Sequence, residues 1–165
     1  MLSFKSLVVF LFLSLLAGCG FQPLYGQQTQ NADVQNKLAA TYIMPIEGRT
    51  GQIIRNELLD RMNPKGVPAR ASYRLKVKIK ESRKSLAIDP DNSTNRNNLT
   101  LNAEYQFLSP DGKREIFAGA TQSISSYNIV TSDFANLSAE KNARKRSALV
   151  LAEKIHRQLS VFLSR

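Results

Sequence analysis

The stretch "ASYRLKVKIKESRKSLAI", residues 71 to 88, constrains the fold more than any other part of the chain. Tyr73, Leu75, Val77 and Ile79 alternate with Arg74, Lys76, Lys78 and Lys80. A period of two puts the apolar side chains on one face of a strand and the cations on the other. Such a strand belongs to a sheet with one covered face and one face open to water. Arg83 and Lys84 follow and prolong the basic run. Cations repeating at about 6.6–6.8 Å can meet clustered phosphates without a cleft, so Arg74, Lys76, Lys78 and Lys80 are the candidate phosphate-binding residues. The competing reading is a solvated sheet face whose lysines deter edge pairing.

The elements around this strand follow from local pattern. "TYIMPIEGR", residues 41–49, reads as a short strand, with Pro45 marking an edge or an irregularity. A helix follows, with Thr50 as the expected N-cap and Ile54, Leu58, Leu59 and Met62 on one side. Asn63-Pro64-Lys65-Gly66 stops it. "IDPDNSTNRNN" is a polar loop, and "LTLNAEYQFLS", residues 99–109, alternates again. Pro110-Asp111-Gly112-Lys113 is a hairpin turn, and "REIFAGATQSISSYNIV" returns as a fourth strand in which Gly119 suggests a bulge. A long helix starts between Ser132 and Ser138, with Ala148, Leu151, Ala152, Ile155, Leu159, Phe162 and Leu163 on one stripe. The pattern predicts an α+β two-layer sandwich, two helices packed on a mostly antiparallel four-stranded sheet. Residues 41–165 form that domain, and the polar residues 19–40 read as a tether reaching at most about 70 to 80 Å.

Residues 1–18 are set apart. Lys5 precedes an apolar run from Leu7 to Leu16, and Ala17 and Gly18 are small. That is the form of a signal peptide, too short to span a bilayer. Leu16-Ala17-Gly18-Cys19 has the form of a bacterial lipobox, in which the thiol receives diacylglycerol and the new amino terminus is acylated, as with palmitate. Acyl chains contribute about 0.8 kcal/mol per buried methylene, and two or more anchor stably. Cys19 is the sole cysteine, so no disulfide forms within the chain. Gly20, rather than Asp, favours sorting to the outer membrane, facing the periplasm.

The residues offer little catalytic chemistry. The single histidine, His156, lies just off the apolar stripe of the last helix, and no nucleophile elbow accompanies it. No metal motif or phosphate loop occurs, and Asp89-Pro90-Asp91-Asn92-Ser93 lacks the glycine and glutamate of a calcium loop. The expectation is no enzyme, no metal and no cofactor beyond the lipid on Cys19. A net charge of +10 in an envelope protein points to phospholipid headgroups, lipopolysaccharide phosphates, peptidoglycan or acidic protein surfaces, and not to nucleic acid. Arg144-Lys145-Arg146 points three ways on its helix.

Several of these stretches also carry a resemblance. Cys19-Gly20-Phe21-Gln22-Pro23-Leu24-Tyr25-Gly26 resembles the "CGFxPLYG" start of the LptE lipopolysaccharide-assembly lipoproteins of alphaproteobacteria. The similarity continues in "ATYIMPIEGRTGQIIRNEL", "YRLKVKI", "TNRNNLTLNAEYQF", "SSYNIVTSDFA" and the last helix. The resemblance implies a lipid-anchored helper that sits in the lumen of the outer-membrane barrel LptD, aids its assembly, plugs it during lipopolysaccharide transport and in some members binds lipopolysaccharide. Only Cys19 carries over as a site residue. The alternative is another periplasm-facing outer-membrane lipoprotein that binds peptidoglycan or envelope proteins; a hydrolase built on His156 is a third reading.

Overall fold

The computed structural model describes residues 28–86 and 95–165. The leader, Cys19, the Phe21–Tyr25 stretch and the Asp89–Ser93 loop lie outside the described residues. The chain divides into two units, Met1–Gln30 and Asn31–Arg165, and the second carries the fold. In chain order the elements are α1 (Gln28–Ala39), β1 (Thr41–Ile43), α2 (Gly48–Met62), β2 (Tyr73–Leu86), β3 (Asn95–Leu108), β4 (Glu115–Ile129) and α3 (Asp133–Leu163).

The strands lie in the order β1-β2-β3-β4. β2 and β3 form a long antiparallel pair, from Arg74 opposite Leu108 to Leu86 opposite Arg96. β3 and β4 pair antiparallel in turn, joined through the expected turn, where Gly112 takes a φ of +75°. Inside that turn the Asp111 carboxylate accepts from the Ser109 hydroxyl and the Lys113 amide, and these bonds hold its pKa below the usual carboxylate value. β1, by contrast, runs parallel to β2, with Ile43 opposite Leu75. The sheet is therefore mixed. The physical reason is α2: a helix inserted between two adjacent strands returns the chain to its starting end, so the next strand runs the same way.

The alternation sets the two faces. Leu75 and Val77 from β2 and Leu99, Leu101, Ala103, Tyr105 and Phe107 from β3 are buried. They meet Ile54, Leu58 and Met62 of α2 and Ala148, Leu151, Ala152, Ile155 and Leu159 of α3. Each large side chain buried there contributes about 1.5–3 kcal/mol. β4 presents small polar groups instead: fully buried Ser147 of α3 donates to Ser125 Oγ at 3.0 Å and accepts from Ser123 Oγ at 3.4 Å.

Four local expectations need correction. Residues 28–39, part of the predicted tether, form a helix whose Val34 and Leu38 enter the core, so helices number three among the described residues. Thr50 is not the N-cap of α2; Glu47 occupies that position with no side-chain cap bond, and Thr50 is buried within the first turn. Gly119 is not at a bulge. The register shift lies at Phe107/Leu108, and Gly119 pairs regularly with Tyr105. Arg83 does not prolong the cation row; at an odd position it shares the helix-facing side with Leu75 and Val77. The start of α3 falls in the predicted window, with Ser132 Oγ accepting from the Ala135 amide. α2 ends at Asn63, whose side-chain amide donates to the Ala39 and Thr41 carbonyls and ties the helix to the start of β1.

Candidate functional site

Arg74, Lys76, Lys78 and Lys80 lie at even positions of β2 and project from the face away from the helices. Lys78 and Lys80 are exposed, and Arg74 and Lys76 are half-buried. The four are not equivalent. Arg74 donates through Nε to the Pro110 carbonyl at 2.7 Å, which commits it to the β3–β4 turn. Lys76 stands opposite Gln106, Lys78 opposite Glu104 and Lys80 opposite Asn102. Directly opposed Cβ atoms are about 4.5–5.5 Å apart, so Glu104 offsets part of the charge of Lys78. None of the three lysines closes an ion pair among the described residues. Lys84 continues the row at the same parity. Where β1 ends, a groove of about 550 Å³ opens between residues 44–47 and Lys76–Lys80. Three mobile ammonium groups on an open face suit a ligand with several anionic groups, because each charge is screened only by water until it is met.

The opposite face carries a cluster with another character. Arg144 of α3 grips Glu81 of β2, with Nη2 to Oε1 at 2.9 Å and Nε to Oε2 at 3.0 Å, and also pairs with Glu140. Arg83 reaches Glu140 at 3.2 Å, and Tyr127 of β4 donates to the same carboxylate at 3.4 Å. Burial alone would raise the pKa of Glu140, but the hydrogen bond from Arg144, the charges of Arg83 and Arg144 and the Tyr127 hydroxyl outweigh it and hold it low. The bond to Glu81 raises the pKa of Arg144 further, against the effect of burial. Every charge in the cluster has a partner, so it joins β2, β4 and α3 and leaves no group for a ligand. Sequence reading missed it because the partners lie 57 and 63 residues apart. The available signal was the odd parity of Glu81 and Arg83.

His156 is half-buried. Burial lowers its pKa, the charge of Arg61 lowers it further, and Glu153 opposes them. The neighbouring Ser160 hydroxyl donates to the His156 backbone carbonyl at 2.8 Å, not to the imidazole. A base oriented toward a nucleophile is therefore not built there. Among the described residues no three His, Cys, Asp or Glu side chains are placed to hold a metal ion. Of Arg144-Lys145-Arg146, Arg144 enters the ion cluster, Arg146 reaches the Ser126 carbonyl at 3.4 Å, and Lys145 is exposed.

Solved structures share this fold. A lipoprotein of Caulobacter crescentus aligns with a TM-score of 0.65 at 23% identity, covering 81% of this chain and 97% of that one. A minor lipoprotein of Acinetobacter baumannii gives 0.58 at 19%, covering 76% and 95%. Rare lipoprotein B of Shewanella oneidensis gives 0.54 at 14%, covering 74% and 94%. These likenesses define the fold class: a small α+β domain also found in lipoproteins. A comparison with curated protein sequences finds no match. The LptE lipopolysaccharide-assembly family model matches residues 38–159, and the chain belongs to that family.

Proposed function

We propose that this chain is an outer-membrane lipoprotein, anchored on the periplasmic side through acyl groups on Cys19 after removal of residues 1–18, that partners the barrel protein LptD in lipopolysaccharide assembly without catalysing a reaction. The observation that carries the reading is the family match across residues 38–159, from the last two residues of α1 to the last turn of α3. The physics is compatible. A plug in a hydrated barrel lumen must be compact and polar outside, and one sheet face here is a field of lysines, asparagines and glutamines. A lipid anchor confines plug and barrel to one surface and raises their effective concentration. Lys76, Lys78 and Lys80 are the residues proposed to meet lipopolysaccharide phosphates; Arg74, held by the turn, positions the row's end.

The test is co-purification. The chain, tagged at its C-terminus and extracted from outer membranes in mild detergent, should bring LptD with it in near-equal amount. Recovery of peptidoglycan fragments without the barrel would replace this reading with that of an envelope-binding module.

A further inference from the structure

The two edges of the sheet are treated differently. In an antiparallel pair, alternate residues turn their backbone groups toward the partner strand and the rest turn them outward. On β4, Gln122 and Ser126 turn outward, and α3 caps both. Lys154 Nζ donates to the Gln122 carbonyl at 2.7 Å, and Arg146 donates to the Ser126 carbonyl at 3.4 Å. That edge is thus covered at two carbonyls by the protein's own side chains.

The β2 edge is not. The Met44 amide donates to the Leu75 carbonyl at 2.9 Å, which fixes the parity: odd-numbered residues of β2 turn their backbone toward the β1 side. β1 pairs with β2 only from Tyr73 to Leu75, whereas β2 continues to Leu86. Val77, Ile79, Glu81, Arg83 and Ser85 thus direct backbone donors and acceptors off the edge, with no strand beside them among the described residues. The groove at Lys76–Lys80 is the first part of this open track.

We infer that the β2 edge from Val77 to Ser85 accepts an extended segment of a partner polypeptide as an added strand, apolar where its inner side meets Val77 and Ile79 and acidic on its outer side. Strand addition satisfies alternating N–H and C=O groups, which a lipid headgroup cannot do. The inner side of such a strand would cover half-buried Ile79 at the edge of the core. Its outer side would lie beside Lys76, Lys78 and Lys80, whose charge exceeds that of nearby Glu47 and Glu104. Lysines on an edge deter neutral and basic strands, and the same charges select an acidic one. A second copy is disfavoured, because pairing β2 with β2 would bring two lysine rows together. Carboxylates on the added strand and lipid phosphates would compete for the same ammonium groups.

The probe is a synthetic peptide of alternating valine and glutamate, about nine residues long, added to the full ¹⁵N-labelled chain in detergent. Residue-resolved amide exchange reads the result. The inference predicts about tenfold slower exchange at Ile79, Glu81 and Arg83, with Lys78 and Lys80 unchanged because β3 already bonds them. A matching peptide interrupted by proline should give no protection. Unchanged odd-numbered amides, protection equal with the interrupted peptide, or odd-numbered amides already slow without peptide would each overturn it. None of these outcomes depends on co-purification with the barrel, so the two proposals fail separately.

Discussion

Changing Gly119 to alanine tests how β3, β4 and α3 fit together. A Cβ built at this position would run into the Tyr105 hydroxyl, with Cζ at 2.5 Å and Cε1 at 3.1 Å. Tyr105 cannot easily yield. The residue is 2% exposed, its hydroxyl donates to Gln158 Oε1 at 2.7 Å, and Phe117 lies against it with centroids 6.1 Å apart. Phe117 is in turn stacked on Phe162 at 4.5 Å. Overpacking of this kind costs about 1–3 kcal/mol. Losing the Tyr105–Gln158 bond adds about 0.5–1.5 kcal/mol. Against this, replacing glycine in a strand gains about 0.5–1 kcal/mol of backbone entropy. The net expectation is a loss of about 1–3 kcal/mol. With a urea slope near 2 kcal/mol per molar, the unfolding midpoint followed by circular dichroism should fall by about 1 M. In a Tyr105→Leu background the clash is gone, and Gly119→Ala should be neutral or slightly stabilising. An equal loss in both backgrounds would refute the steric argument, as would an unchanged midpoint in the single variant.

Three further outcomes follow from the same structure. Leu151→Ala, at a fully buried core position of α3, should cost about 2–5 kcal/mol in the same urea experiment. Glu140→Gln should weaken the chain at neutral pH and less so in acid. The folded pKa of Glu140 is depressed, so its contribution is complete above the unfolded value of about 4.3 and disappears as pH falls through the lower folded value; paired melting curves from pH 7 to pH 3 should converge. Changing Lys76, Lys78 and Lys80 together to serine should weaken lipopolysaccharide binding at low salt while leaving the circular dichroism spectrum intact, and equal affinity would show that the row is only solvated surface.

What the sequence revealed depended on the range of the interaction. The β2 alternation is a local property of one strand, and it placed Leu75 and Val77 in the core and the lysines outside. The start of α3 was legible because Ser132 caps its own helix. The parallel β1 escaped because pairing direction depends on the path through α2, although the strand-helix-strand order did hold the clue. α1 escaped for a different reason: Val34 and Leu38, one turn apart, are the apolar side chains it places in the core, too few for a helical period. Gly119 looked like a bulge because glycine weakens any strand, and only the neighbouring strand shows that it makes room for Tyr105. The ion cluster needed β2, β4 and α3 to meet, which no spacing along the chain records.

Depletion of the chain in living cells tests the central claim most directly, with lipopolysaccharide at the cell surface and LptD abundance in the outer membrane measured over several generations. Both should fall together, and restoration should require an acylatable residue at position 19. Normal surface lipopolysaccharide and normal barrel levels after full depletion would contradict the account.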